Sequence, residues 1–280
     1  MTKFIKYENL DFRIDNNIFY STSVKISLQS NIQPVLLADG SLLRYAPQQT
    51  VVGGLSTEFY LTGSLPTYLN IVNSTESSVN CSFGGVAIDQ CYIKSLSFTA
   101  SQFSPILLNI DFDWYGKINS SNSTYDLKNK SIGGPSGPTG PNTQSLSHIS
   151  HSNNSYISDI SNVFGFSEIF SYSYNESCDR VPFFRNGEII PFRVAKVNRA
   201  KSVTVDGNYF KKSNVSDIEG TDTICDLYLK DYENNLLNTF NISGKIDSRS
   251  LNIDNNGLLQ STLSINQRVA LLRNISWVNF

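Results

Sequence analysis

At 280 residues the chain is long enough for one large or two ordinary domains, each able to bury a real core. Its formal charge is −2 and only 16% of residues are charged, so the basic footprint that grips nucleic-acid phosphates is missing. The first residues lack the apolar core of a secretion signal and no stretch approaches the ~20 apolar residues of a membrane helix, so the expectation is a protein made and kept in cytosol, with no membrane partner.

Period-two alternation rich in β-branched and aromatic residues runs through 23–28, 55–61, 92–98 and 108–114. It returns at 168–174, 201–205, 226–232 and 259–269, the pattern of half-buried strands. Asp39-Gly40, Asn186-Gly187, Asp206-Gly207 and Asn256-Gly257 supply positive-φ turn residues, so the strands are expected to be mainly antiparallel. The best helical signal is Leu65-Pro66-Thr67-Tyr68-Leu69-Asn70-Ile71-Val72, with proline in a first turn, which predicts one short helix. Residues 117–162 break the pattern: 19 of these 46 are Ser or Asn, and Gly133-Gly134-Pro135-Ser136-Gly137-Pro138-Thr139-Gly140-Pro141 interrupts regular structure. This is a linker or exposed excursion, too short in its Gly-Pro run for a collagen helix and expected to order only where neighbouring subunits clamp it.

The chain also reads as though written twice. A shift of 148 places Ser23-Val24-Lys25-Ile26 on Ser171-Tyr172-Ser173-Tyr174 and Pro34-Val35-Leu36 on Pro182-Phe183-Phe184, and Asp39-Gly40 falls one position from Asn186-Gly187. Ile93-Lys94-Ser95-Leu96-Ser97-Phe98 is echoed from Ile246 onward. So long a period indicates two similar domains instead of a solenoid. The fold expected is all-β with little helix: two tandem antiparallel domains, 1–116 and 163–280, joined by the polar linker 117–162.

Signals for chemistry are weak. Cys81, Cys91, Cys178 and Cys225 lack metal-type spacing and are too few for a disulfide framework, so they are expected to be buried thiols. His148 and His151, the only histidines, sit three apart in the linker without a third ligand. Asn252-Ile253-Asp254-Asn255-Asn256-Gly257 opens like a calcium loop, but position twelve is Leu263 where a bidentate Glu is needed; it reads as a hairpin turn. Asp111 and Asp113 flank Phe112, so a strand puts both carboxylates on one face about 7 Å apart, a spacing a glycosidase pair can use. Alternation alone produces the same pattern, with Ile110, Phe112 and Trp114 facing a core and Asn109, Asp111 and Asp113 facing water or a channel. Phosphate-binding, dinucleotide and nucleophile-elbow motifs are absent. No catalytic residue, metal or cofactor is therefore expected.

Leu55-Ser56-Thr57-Glu58-Phe59-Tyr60-Leu61-Thr62-Gly63, the later Gly84-Gly85 with Cys91-Tyr92-Ile93-Lys94-Ser95-Leu96-Ser97-Phe98, and residues 106–114 together resemble the tail tube-like virion structural proteins of tailed bacteriophages. The second half repeats the theme with Phe170-Ser171-Tyr172-Ser173-Tyr174, Val181-Pro182-Phe183-Phe184, Pro191-Phe192-Arg193-Val194 and the hairpin at 246–265. The duplication and the long linker depart from a simple tube subunit. The resemblance implies β-sandwich domains whose inner sheets join those of neighbours into a ring-shaped barrel around a lumen, six domains per ring, from six chains or three duplicated ones. It implies a homo-oligomer, trimer or hexamer, in contact with other virion structural proteins and with passing DNA that it does not bind specifically, located in the virion after assembly in the host cytoplasm. The faces expected to line the lumen are Asn109, Asp111 and Asp113 in the first copy and Thr262, Ser264 and Asn266 in the second. They present neutral to negative groups that repel phosphates. Two other readings are a carbohydrate- or receptor-binding β-sandwich module on the baseplate or capsid surface, using Tyr, Trp and the many Asn and Asp, and a hydrolase using Asp111 and Asp113.

Overall fold

The computed structural model describes residues 12–15, 17–19, 21–29, 32–47, 52–60, 78–83, 86–101, 106–116, 118–120, 156–157, 166–186, 188, 190–209, 222–230, 236–253 and 259–270. Every regular element among them is a β-strand. The first half supplies β1 (Phe12–Ile14), β2 (Asn17–Phe19), β3 (Ser21–Gln29), β4 (Ile32–Leu36), β5 (Leu42–Pro47) and β6 (Val52–Tyr60). It continues through β7 (Val79–Phe83), β8 (Val86–Ser101), β9 (Leu107–Trp114) and β10 (Ile118–Ser120). The second half supplies β11 (Tyr156–Ile157), β12 (Phe166–Phe183), β13 (Arg193–Tyr209), β14 (Asp222–Lys230), β15 (Leu236–Ile253) and β16 (Leu259–Ala270).

The alternation in the sequence becomes alternation of burial. Along β9, Leu108, Ile110, Phe112 and Trp114 are buried while Asn109 is exposed and Asp111 and Asp113 are half-buried. Each such apolar side chain contributes about 1.5–3 kcal/mol on leaving water. One buried row crosses seven strands by direct cross-strand pairing: Phe59, Leu108, Phe98, Tyr174, Val203, Ile265 and Ile246. All four cysteines are buried free thiols, as their spacing implied.

The strands pair antiparallel in one large sheet, and β4 and β5 form a separate two-stranded hairpin. Two strand sets within the sheet share one order: β3-β6-β9-β8-β7 in the first half and β12-β13-β16-β15-β14 in the second. Their registers agree as well. A shift of 148 carries the pair Val24–Thr57 onto Tyr172–Val205. A shift of 153 carries Ile93–Phe112 onto Ile246–Ile265. Even the irregularities repeat, since the register breaks at Ser21/Ser23 and Ile93/Ser95 recur at Ile169/Ser171 and Ile246/Ser248. A β-bulge re-aims the strand that carries it, so bulges at equivalent places impose the same local twist on both sets.

The two sets are joined strand to strand. Residues 95–101 of β8 pair with residues 171–177 of β12, making the path β3-β6-β9-β8-β12-β13-β16-β15 continuous. The seam is aromatic: the Phe98 ring stacks on Tyr174 at 5.5 Å, meets Tyr172 edge-on at 6.1 Å and lies 5.0 Å from Phe240. Arg180 reaches across it to donate to the Ile93 carbonyl and lies 5.9 Å from the Tyr92 ring centroid.

Turn chemistry is partly as expected. Asp39-Gly40 forms the β4–β5 turn, with Gly40 at φ +82° and the Ser41 amide and hydroxyl donating to Asp39 Oδ1 at 2.9 and 2.6 Å. Those bonds hold the Asp39 carboxyl below its ordinary range. Asp206-Gly207, expected as a turn, lies instead inside β13, opposite Ser171 and Ile169 on one side and Thr262 and Ser261 on the other. Thr262 and Ser171 donate to the Asp206 carboxylate at 2.6 and 3.1 Å, which satisfies across the sheet the group that a turn would have used locally. The segment 117–162 is not wholly linker: β10 pairs with β8 and β11 pairs with β14. The predicted helix at 65–72, the turn at 256–257, Gly187, both histidines and the Gly-Pro run lie outside the described residues.

Candidate functional site: a continuous polar sheet face

The seam joins the polar faces of the two strand sets. Residues directly opposite each other in an antiparallel ladder share a face. Starting at the β3 edge, successive partners are Ser23, Glu58, Asn109, Ser97, Asn175, Ser202, Asn266 and Lys245, one from each of eight strands and all polar. The next row begins Lys25, Ser56, Asp111, Ser95 and Ser177. The opposite side of these strands carries the aromatic and aliphatic core.

All six residues expected to share a role lie on this face. Asn109 and Asn266 belong to the same row, and Asp111, Asp113, Thr262 and Ser264 occupy alternate positions on the same two strands, β9 and β16. A shift of 153 carries Asn109, Asp111 and Asp113 onto Thr262, Ser264 and Asn266, so the two triplets are equivalent places in the two sets. Sequence reasoning marked the strands between them, at 92–98, 168–174 and 201–205, but not that they lie side by side in this order. The Ser171-Tyr172-Ser173-Tyr174 alternation was a usable signal for β12, whereas the contribution of Ser202 and Ser97 depends on pairing register.

Hydroxyls on adjacent strands hold the acids of this face apart. Ser95 donates to Asp111 at 2.6 Å, Lys94 pairs with Asp113 at 3.4 Å, and Thr22 donates to Glu58 at 3.0 Å. Thr204 and Ser264 share a hydrogen bond of 3.2 Å. A depression of about 180 Å³ is lined by Asn175, Lys201, Ser202, Asn266, Gln267 and Arg268. Among the described residues no group of three or more His, Cys, Asp or Glu is placed to hold a metal ion.

Ionic chemistry sits on the other face, beside the seam. Glu176 is 3% exposed; it receives Tyr174 Oη at 2.6 Å and Arg199 Nε at 2.8 Å. Burial, and then the Glu176 charge, push the Tyr174 phenol well above its ordinary range. Lys201 donates to the Asn241 carbonyl at 2.7 Å, and burial draws its ammonium pKa down against the opposing pull of Glu176. Glu176, Tyr174 and Arg199 bond one another and Lys201 bonds a backbone carbonyl, the arrangement of a structural network.

Trp114 is buried, so it offers no stacking platform for a sugar. No protein-family model matches the chain, and a search of curated proteins found no match.

Proposed function

We propose that this chain is a virion structural protein of the kind it resembles, the tail tube-like proteins of tailed bacteriophages. It is built as two tandem β-sandwich copies that assemble with other copies into a ring, trimeric or hexameric, around a DNA-conducting lumen. The single observation that carries this reading is the eight-strand polar face. It is made mainly of Ser, Asn and Thr with scattered acids and lysines, and its first row runs without a break across eight strands of the two matched sets. A conduit for a polyanion requires such a surface: wet, with few cations, and mildly repulsive to phosphate.

Two further features support assembly. The β4–β5 hairpin exposes Leu36, Leu37, Leu42 and Leu43, and the corresponding end of β12 exposes Val181 and Phe183, with Phe192 exposed just before β13. Clustered apolar side chains at a hairpin tip mark a contact surface. Within the virion the neighbours would be further copies and other structural proteins; passing DNA would slide without specific binding.

Electron microscopy of the purified full-length protein tests the reading. Rings or tubes with a central hole are expected; discrete monomers at high concentration would overturn it. A glycan-array signal from such monomers would favour the sugar-binding module, for which the depression lined by Asn175, Asn266, Gln267 and Arg268 is the candidate site.

A further inference from the structure

The molecule contains one example of how its two strand sets meet, and among the described residues the counterparts of those two edges meet no further strand. In the seam, β8 presents residues 95–101 beyond the reach of β7, and β12 accepts them along 171–177. The counterpart of β8 is β15, whose residues 246–253 pair with β16 on one side and extend beyond β14, whose pairing stops at Lys245. The counterpart of β12 is β3, which pairs with β6 on one side and with no other described strand. These edges lie at opposite ends of the eight-strand path and do not meet within the chain.

Burial says what they are for. At the seam Phe98, Ala100, Tyr172 and Tyr174 are each at most 3% exposed. Their counterparts are Leu251, Ile253, Val24 and Ile26. Leu251 and Ile253 are 39% and 68% exposed, Val24 and Ile26 are only partly buried, and Leu28 beside them is 53% exposed. Apolar side chains occur on the open edges at the places where the closed seam buries its own. A long edge of this composition is a hazard unless another strand covers it.

We propose that β15 of one chain pairs with β3 of a second copy in the register of the internal seam, Val24 opposite Ile253, Ile26 opposite Leu251 and Ser27 opposite Ser250. The interface is heterologous, head to tail, so repetition either closes a ring or grows a filament. In a closed ring of n chains, internal and intermolecular seams alternate and the polar face continues around the whole circumference. This inference deepens the assembly reading above and rests on it; it adds the edges, the partner and the register.

Cross-linking the full-length protein tests it. Directly opposed antiparallel residues lie within disulfide range, about 4.5–5.5 Å between Cα atoms. The double variant Ser27→Cys with Ser250→Cys, both exposed positions, is expected to form covalent multimers under mild oxidation on a non-reducing gel. Each single variant, the parent chain and the off-register pair Ser27→Cys with Asn252→Cys are expected not to. The variant Ile253→Lys is expected to keep the parent's melting temperature, because the side chain is already exposed, and to weaken self-association roughly tenfold or more by light scattering. Multimers in solution without the in-register cross-link, or unaffected by Ile253→Lys, would overturn the edge assignment and leave the assembly reading standing. A chain that stays monomeric at high concentration would remove both.

Discussion

Glu176 shows how a single residue pins two neighbouring strands, β12 and β13, beside the seam. Its carboxylate lies on β12 opposite Leu96 of β8, with Arg199 at 2.7 Å as its ion partner and the Tyr174 hydroxyl as a second donor. Removing one member of a buried pair leaves the other charged and dry, which costs more than the pair contributes while intact. Glu176→Ala is therefore expected to lower unfolding stability by about 3 kcal/mol, read as a fall in the urea midpoint at unchanged slope. Glu176→Gln keeps an acceptor for Tyr174 and should lose less. No residue pattern announced this network: Glu176 and Arg199 are 23 positions apart and meet only because β12 and β13 pair. Gly244 is another position of this kind, since a Cβ there would collide with the Asn266 carbonyl of the adjacent strand β16.

Among the elements, strands with clean alternation were legible, and those whose ends are decided by a partner were not. β9 and β16 match the periodicity because one side is core and the other polar along their whole length. β13 runs through Asp206-Gly207, a dipeptide that reads as a turn when nothing is known of Ser171 and Thr262 on either side. The β4–β5 hairpin was marked by Asp39-Gly40, but its four exposed leucines acquire meaning only once the hairpin is seen to leave the main sheet. Replacing Leu36 and Leu43, which are 57% and 56% exposed, by Asp should change stability by no more than about 0.5 kcal/mol. If the hairpin tips bridge rings, electron micrographs of that double variant will show isolated rings and no tubes.

For the whole molecule, the polar face is a statement about charge. If the face repels phosphate as proposed, adding cations should turn it into one that retains phosphate. The triple variant Asp111→Lys, Asp113→Lys and Ser264→Lys is expected to bind duplex DNA with an affinity that falls steeply with salt, while the parent chain shows no retention in the same gel-shift series. Retention by the parent at physiological salt would contradict a repulsive lumen.

The matching strand order of the two sets was signalled in the amino acids because strand alternation is local: Ser23-Val24-Lys25-Ile26 and Ser171-Tyr172-Ser173-Tyr174 carry the same two-residue rhythm whatever they touch. Fold class, the buried thiols and the inward row of β9 follow from the same short-range preference of apolar side chains for one side of a pleat. The seam between Phe98 and Tyr174, the matched bulges and the row from Ser23 to Lys245 were decided only by tertiary structure. Which strand lies beside which, and in what register, is set by packing between residues far apart in the chain, and period-two alternation is satisfied by many such pairings.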